Sequence, residues 1–373
     1  AFLAQAIIKE SGRDHLFIFN DKEEAAYFLN DLQKFEGKEF ISVFYPESFR
    51  VPYEIENTDN SNIVLRAEVL KTISGKGKKP CAIVTYPDAL AENVVTRKQL
   101  GSHTFKVQVG KSYSIEFLNE VLTEYEFHRV DFVYEPGQFS IRGGIVDVYS
   151  FGEDFPYRIE FFGDDVESLR QFDPVTQLST KTARSFTVIP NIQHTSMLES
   201  RESFLDFIGN ETAIWSKDDA LISDRLDHLF GVAEKQFTKL KSQLKRLPPK
   251  DLYISGETFE RKSETYRKIG FGTSYSDTDL KFDYDQAPQP SFNKNFDLLI
   301  KNLHENEEKG YANFIFSSND KQIERLERIF EDLDAKVKFT PILTEIAEGF
   351  IDKDLQICCY SDHQIFERYH RFY

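Results

Sequence analysis

Cysteine is scarce in this chain, with three in 373 residues, and two of them, Cys358 and Cys359, are adjacent inside an apolar run. Such spacing builds neither a disulfide framework nor a zinc ligand set, so a reducing cytoplasm is the expected compartment. No apolar stretch approaches the ~20 residues a membrane helix needs, and no membrane partner is expected. Basic charge is in deficit: 46 Lys and Arg against 62 Asp and Glu leave a net charge of −16. That balance argues against binding nucleic acid over a broad surface, because phosphate contacts require clustered cations. The basic stretch Lys235–Lys250 reads as a solvated helix face, with a phosphate contact as its alternative. The chain begins without Met or a basic leader and stops inside a basic-aromatic run, so a piece of a longer polypeptide is expected.

Catalytic signatures are also missing. There is no Gly-x-Ser-x-Gly elbow and no His-Glu-x-x-His pair, and the histidines at 15, 103, 128, 194, 228, 304, 363 and 370 show no metal-ligand spacing. Gly110-Lys111-Ser112 follows a strand and precedes a helix, as the end of a phosphate loop does, but the full loop requires Gly where this chain has Phe105. Gly110 is therefore read as a turn glycine and Ser112 as a cap near the helix start. The run Ser74-Gly-Lys-Gly-Lys-Lys79 lacks the same spacing and reads as a flexible basic loop. Asp164, Asp165 and Glu167 read as a hydrophilic hairpin tip, not a metal site. No catalytic residue, metal ligand or cofactor is assigned within this chain.

What is present is a patterned α/β sequence. Helix is expected over Phe2–Lys9, Lys22–Phe35 and Asn62–Ile73, and strand over His15–Phe19, Phe40–Phe44 and Cys81–Tyr86. Short, continuous apolar strands alternating with helices imply a doubly wound parallel α/β layer. From about Thr104 the strands crowd together around one helix, Ser114–Leu122, as an inserted α+β domain would read. Residues 193–270 read as helical and polar, and Gln286–Ser291 as a linker. The α/β alternation then returns with a helix over Phe296–Leu303, a strand over Ala312–Phe316, a helix over Asp320–Leu333 with Ile323, Leu326, Phe330 and Leu333 inward, and a strand over Leu355–Tyr360.

The most informative segment is Gln138–Tyr149 followed by Pro156–Asp165. The second part reads as a strand entering a Gly163-Asp164 turn, with Val166–Phe172 returning. Alternation places Tyr157, Ile159 and Phe161 on one face and Arg158, Glu160 and Phe162 on the other. A large aromatic beside an arginine on a face expected to be polar, with Arg142 upstream, has the composition of a protein-binding hot spot. Gly143-Gly144 reads as a bulge, which would also re-aim Arg142 outward, or as a close backbone approach.

Residues 135–147 (Glu-Pro-Gly-Gln-Phe-Ser-Ile-Arg-Gly-Gly-Ile-Val-Asp) and 156–177, supported by Tyr45–Tyr53, Val64–Leu70 and Ser361–Phe366, resemble the N-terminal region of bacterial transcription-repair coupling factors (Mfd). The excision protein UvrB shares the hairpin domain, and a UvrB-like ATPase fragment is the rival reading. The short stretch Glu54–Ser61 leaves no room for UvrB's long aromatic hairpin. The resemblance implies a multidomain α/β fold: a degenerate helicase-like domain at 1–103 and 193–280, an inserted UvrA-binding α+β domain at 104–192, and a small α/β domain at 281–373. It implies UvrA as partner, contacted by Arg142, Arg158 and Phe162 through charge-assisted bonds to carboxylates and an apolar pocket. It also implies that RNA polymerase, DNA, ATP and magnesium are engaged by other parts of the full-length family protein, whose C-terminal region masks the UvrA face. A third reading makes the hairpin an internal docking face for other domains of the same polypeptide.

Overall fold

The computed structural model describes residues 1–37, 39–48, 52–53, 60–75, 79–98, 104–190, 200–240, 247–272 and 280–367. His103, His194, His370, most of Glu54–Ser61, residues 76–78 of the glycine-lysine loop and residues 241–246 of the basic stretch lie outside these. Ala6–Leu29 with Lys38–Tyr275 form one compact unit, and Ala1–Gln5, Asn30–Gly37 and Ser276–Tyr373 form another.

In the larger unit, β1 (His15–Ile18), β2 (Ile41–Phe44), β3 (Cys81–Thr85), β14 (Ala213–Ser216) and β15 (Arg267–Gly270) make one sheet in the order β15-β14-β1-β3-β2. Every neighbouring pair is parallel. The central strands β1, β3 and β14 are buried along their whole length, which is why they read as unbroken apolar runs. The segment 193–270, read as helical and polar, therefore contributes two strands to this sheet. Ala213-Ile-Trp-Ser216 is too short to show a period, and its pairing partners β1 and β15 decide its state. Within this sheet Trp215 Nε1 donates to His15 Nδ1 at 2.9 Å. Burial, with a contribution from Arg13, pushes the His15 pKa down to about 4.

The helix Asn60–Ser74 carries Arg66 into the core with no exposed surface. Its Nη1 donates to the carbonyls of Pro46 (2.8 Å) and Ala89 (3.1 Å), and its Nη2 lies 3.3 Å from the Glu92 carboxylate. Glu92 in turn accepts from the Ser48 amide at 3.1 Å, so the Tyr45–Ser48 segment is tied to the helix through one buried ion pair.

Two short ribbons flank the inserted region: β4 (Val94–Val95) pairs with β13 (Arg201–Glu202), and β5 (Phe105–Gln108) with β12 (Ser185–Val188). Between them lies a six-stranded sheet of β6 (His128–Arg129), β7 (Gln138–Arg142), β8 (Ile145–Val148), β9 (Tyr157–Phe162), β10 (Asp165–Phe172) and β11 (Ser179–Thr182), neighbours in sequence order. All pairs are antiparallel except β6 with β7. One face packs Phe139, Val146, Val148, Tyr157, Ile159 and Leu169 inward. The helix beside it, Ile115–Glu124, is capped by Ser114, which accepts from the Phe117 amide, so the cap is Ser114 and not the expected Ser112.

The smaller unit holds β16 (Gln286–Pro288), β17 (Ala312–Phe316), β18 (Thr340–Ile342), β19 (Phe350–Asp352) and β20 (Ile357–Ser361) in the order β16-β19-β20-β17-β18. The expected linker at Gln286–Ser291 thus begins as an edge strand, a position where a sheet tolerates proline. Helices Phe296–Glu308 and Asp320–Asp332 bury Leu299, Leu303, Ile323, Leu326 and Phe330 with Ile315, Cys358 and Tyr360. Leu333 is not inward as expected. It follows the last turn as the C-cap and is 46% exposed. Leu355 likewise stands exposed in the turn before β20. No described helix is long and apolar enough to cross a membrane.

Candidate functional site

The second face of the six-stranded sheet is built from registered rows. One row runs Ser140, Asp147, Arg158, Arg170 and Thr182 across β7 to β11. The next runs Arg142, Ile145, Glu160 and Ser168. Side chains on one face of adjacent strands stand close enough to interact directly, so register alone brings these charges together.

Asp147 is the centre of this face and has no exposed surface. Arg158 donates through Nε to its Oδ1 at 2.8 Å and through Nη2 to its Oδ2 at 2.9 Å. Arg142 reaches the same Oδ2 through Nη2 at 2.5 Å and donates through Nη1 to the Asp131 carbonyl at 2.6 Å. The guanidinium of Arg142 lies 5.0 Å from the Phe132 ring centre, and that of Arg158 4.5 Å from Phe172. The bonds to Asp147 raise the Arg158 pKa above its ordinary value against the opposing effect of burial, so the group stays cationic. Two cations on one carboxylate leave a net charge of +1. The side chains differ in access: Arg142 is 36% exposed and Arg158 17%.

Glu160 accepts from Ser168 Oγ at 2.6 Å and pairs with Arg170, so the second row is electrically closed. Two residues beyond this row along β9 stands Phe162, opposite Asp165, 78% exposed and directly before the Gly163 turn. The alternation expected along β9 is therefore present, with Tyr157 and Ile159 buried and Phe162 in solvent.

The carboxylate that holds the arginines is internal, which the sequence reading missed. Arg142 and Arg158 were expected to spend their hydrogen bonds on a partner's carboxylates; both already bind Asp147. The available signal was a lone acid in the apolar strand Ile145-Val-Asp-Val148. Gly143-Gly144 is likewise not a bulge. Arg142 and Ile145 are register partners, so the glycines form a two-residue hairpin turn with Gly143 at φ +60°. A Cβ on Gly144 would lie 3.1 Å from the Phe161 carbonyl oxygen. The irregularities in this sheet fall instead in β10, between Val166 and Ser168 and between Gln171 and Phe172.

Gly110-Lys111-Ser112 packs against the hairpin tip. The Gly110 amide donates to the Val166 carbonyl at 2.9 Å and the Lys111 amide to Gln108 at 3.2 Å, so neither faces outward to cradle a phosphate. Ser112 Oγ donates to Asp165, one of the tip carboxylates. Among the described residues no group of His, Cys, Asp and Glu is arranged to hold a metal ion.

The family model for the UvrB interaction domain matches residues 105–194. The matched segment contains the whole six-stranded sheet and the Asp147 fork. Over a wider stretch the chain is similar to curated transcription-repair coupling factors. It is 30% identical to that of Rickettsia bellii over 191 residues, covering 51% of this chain and 17% of the relative. To that of Bacillus subtilis it is 29% identical over 186 residues, 50% of this chain and 16% of the relative. The UvrABC system protein B of Prochlorococcus marinus is 24% identical over 220 residues, 56% of this chain and 32% of the relative. The chain thus spans only a minor part of the length of the relatives it matches.

Proposed function

We propose that this chain is an adaptor module of a transcription-repair coupling factor in nucleotide excision repair, and that its UvrB interaction domain recruits UvrA. The observation that carries the reading is the Asp147 fork beside solvent-exposed Phe162, within the segment that matches the interaction-domain family. A cationic fork held by a buried acid is preorganised for a carboxylate, and an exposed ring beside it supplies an apolar anchor. Arg142 is the accessible cation, Phe162 the anchor, and Arg158 the less exposed member that completes the fork.

The five-stranded parallel sheet is read as a helicase-like domain that does not hydrolyse nucleotide in this chain. The phosphate-loop-like Gly110-Lys111 pair lies outside that sheet, in the inserted domain, and its amides are spent on Val166 and Gln108. RNA polymerase, DNA, ATP and magnesium are assigned to other regions of a longer polypeptide, one of which masks the UvrA face at rest. Calorimetry of the cognate UvrA with this chain and with Arg142→Ala and Phe162→Ala tests the proposal. Binding by the parent that both substitutions weaken supports it, and a folded parent that does not bind UvrA rules it out.

A further inference from the structure

The face does not end at the arginines. Arg158 lies four residues from Phe162 along β9, ~13 Å at strand rise. Its remaining nitrogen, Nη1, points the other way and donates to the Gln177 carbonyl at 3.3 Å. Gln177 belongs to the turn joining β10 to β11, so the fork sits between Phe162 and this turn.

The turn is held by hydrogen bonds of its Asp173 and Gln177 side chains and its own backbone. The Asp173 carboxylate accepts from the amides of Val175 at 2.9 Å and Thr176 at 2.7 Å. The Asp173 amide donates to the Leu178 carbonyl at 2.9 Å, and the Gln177 amide to the Asp173 carbonyl at 2.8 Å. Gln177 takes φ +60°, and its Nε2 donates to the carbonyls of Pro174 at 2.7 Å and Val133 at 3.1 Å. Beneath lies the small cluster of Val133, Tyr149 and Phe172. Yet this fixed turn presents Val175 at 82% and Leu178 at 68% exposure. Apolar groups on an ordered backbone lose little conformational entropy on docking, the condition under which exposed apolar area converts to affinity.

We infer that the Val175–Leu178 turn is a second apolar contact element for UvrA, placed on the far side of the arginine fork from Phe162. The inference rests on the adaptor reading above and specifies the partner surface. That surface carries one carboxylate, matching the single uncompensated charge of the fork, with apolar groups on both sides of it. Arg158 acts here as a positioning residue, because its three donors tie the turn to Asp147.

The test compares UvrA binding by the parent chain, the double variant Val175→Ser/Leu178→Ser, and Leu355→Ser as an exposed leucine of the other unit. All three should melt alike, since the altered side chains are in solvent. The double variant is expected to bind about tenfold more weakly, with Leu355→Ser unchanged. Parent-like affinity in the double variant overturns the inference and leaves the adaptor reading standing. An equal loss in Leu355→Ser overturns it too, because the effect would then be nonspecific. A folded parent that fails to bind overturns both.

Discussion

Asp147 and Arg158 are register partners on β8 and β9, joined by a bidentate pair of hydrogen bonds of 2.8 Å and 2.9 Å. The acid is fully buried, whereas the fork it holds opens to solvent through Arg142. On the adaptor reading, stability and recognition share one carboxylate, and substitutions around it divide according to which they disturb.

Removing the acid leaves two guanidinium groups without their shared partner. Asp147→Ala should destabilise the inserted domain by about 3 kcal/mol, the usual scale for breaking a buried pair from one side. Chemical denaturation followed by the circular dichroism of the chain measures this. A loss below about 1 kcal/mol would show that the fork is not a structural element.

Arg158→Ala should cost more stability than Arg142→Ala. The first removes a bidentate partner of a buried acid, and the second a more exposed cation that shares one oxygen. Expected losses are about 3 and about 1 kcal/mol. Equal values in paired denaturation curves would contradict the asymmetry. Weakened UvrA binding by Arg158→Ala must accordingly be judged at a temperature where the variant is folded.

Phe162→Ala separates the two roles in the other direction. With 78% of the side chain already in solvent, stability should change by less than about 0.5 kcal/mol. Affinity for UvrA should fall roughly 30-fold, about 2 kcal/mol. Unchanged affinity in calorimetry would remove Phe162 from the site.

Gly143→Ala should cost about 1 kcal/mol, because a Cβ is strained at φ +60°. Gly143→Asn should be milder, since asparagine tolerates this region. Thermal melts of the two variants rank them, and an alanine variant as stable as the asparagine one would contradict the turn geometry.

Acid sensitivity should trace partly to His15. Unfolded, its imidazole titrates near 6.5, and in the folded sheet near about 4. Between those values the unfolded chain binds more protons, so stability falls as pH drops through that window, by up to about 1.4 kcal/mol per pH unit. The loss is complete once pH is below the folded value. His15→Gln should flatten the stability slope between pH 6.5 and pH 4, and an unaltered slope would assign the sensitivity elsewhere.

Local sequence determined a good deal of this protein. Alternation along Tyr157–Phe162 assigns each side chain its face before any fold is known, because a strand has a period of two. The 3.6-residue spacing of Ile323, Leu326 and Phe330 marks a helix and its buried stripe for the same kind of reason. Resemblance in residues 135–177 pointed to the interaction domain. Tertiary structure decided what depends on partners distant in sequence. Ala213–Ser216 is a strand because β1 and β15 flank it, and Gln286–Pro288 because β19 offers an edge. The arginines are a fork because register sets Asp147 between β7 and β9. An ion pair across strands is a property of pairing: Asp147 lies eleven residues before Arg158 and five after Arg142, and only the strand register turns that spacing into contact.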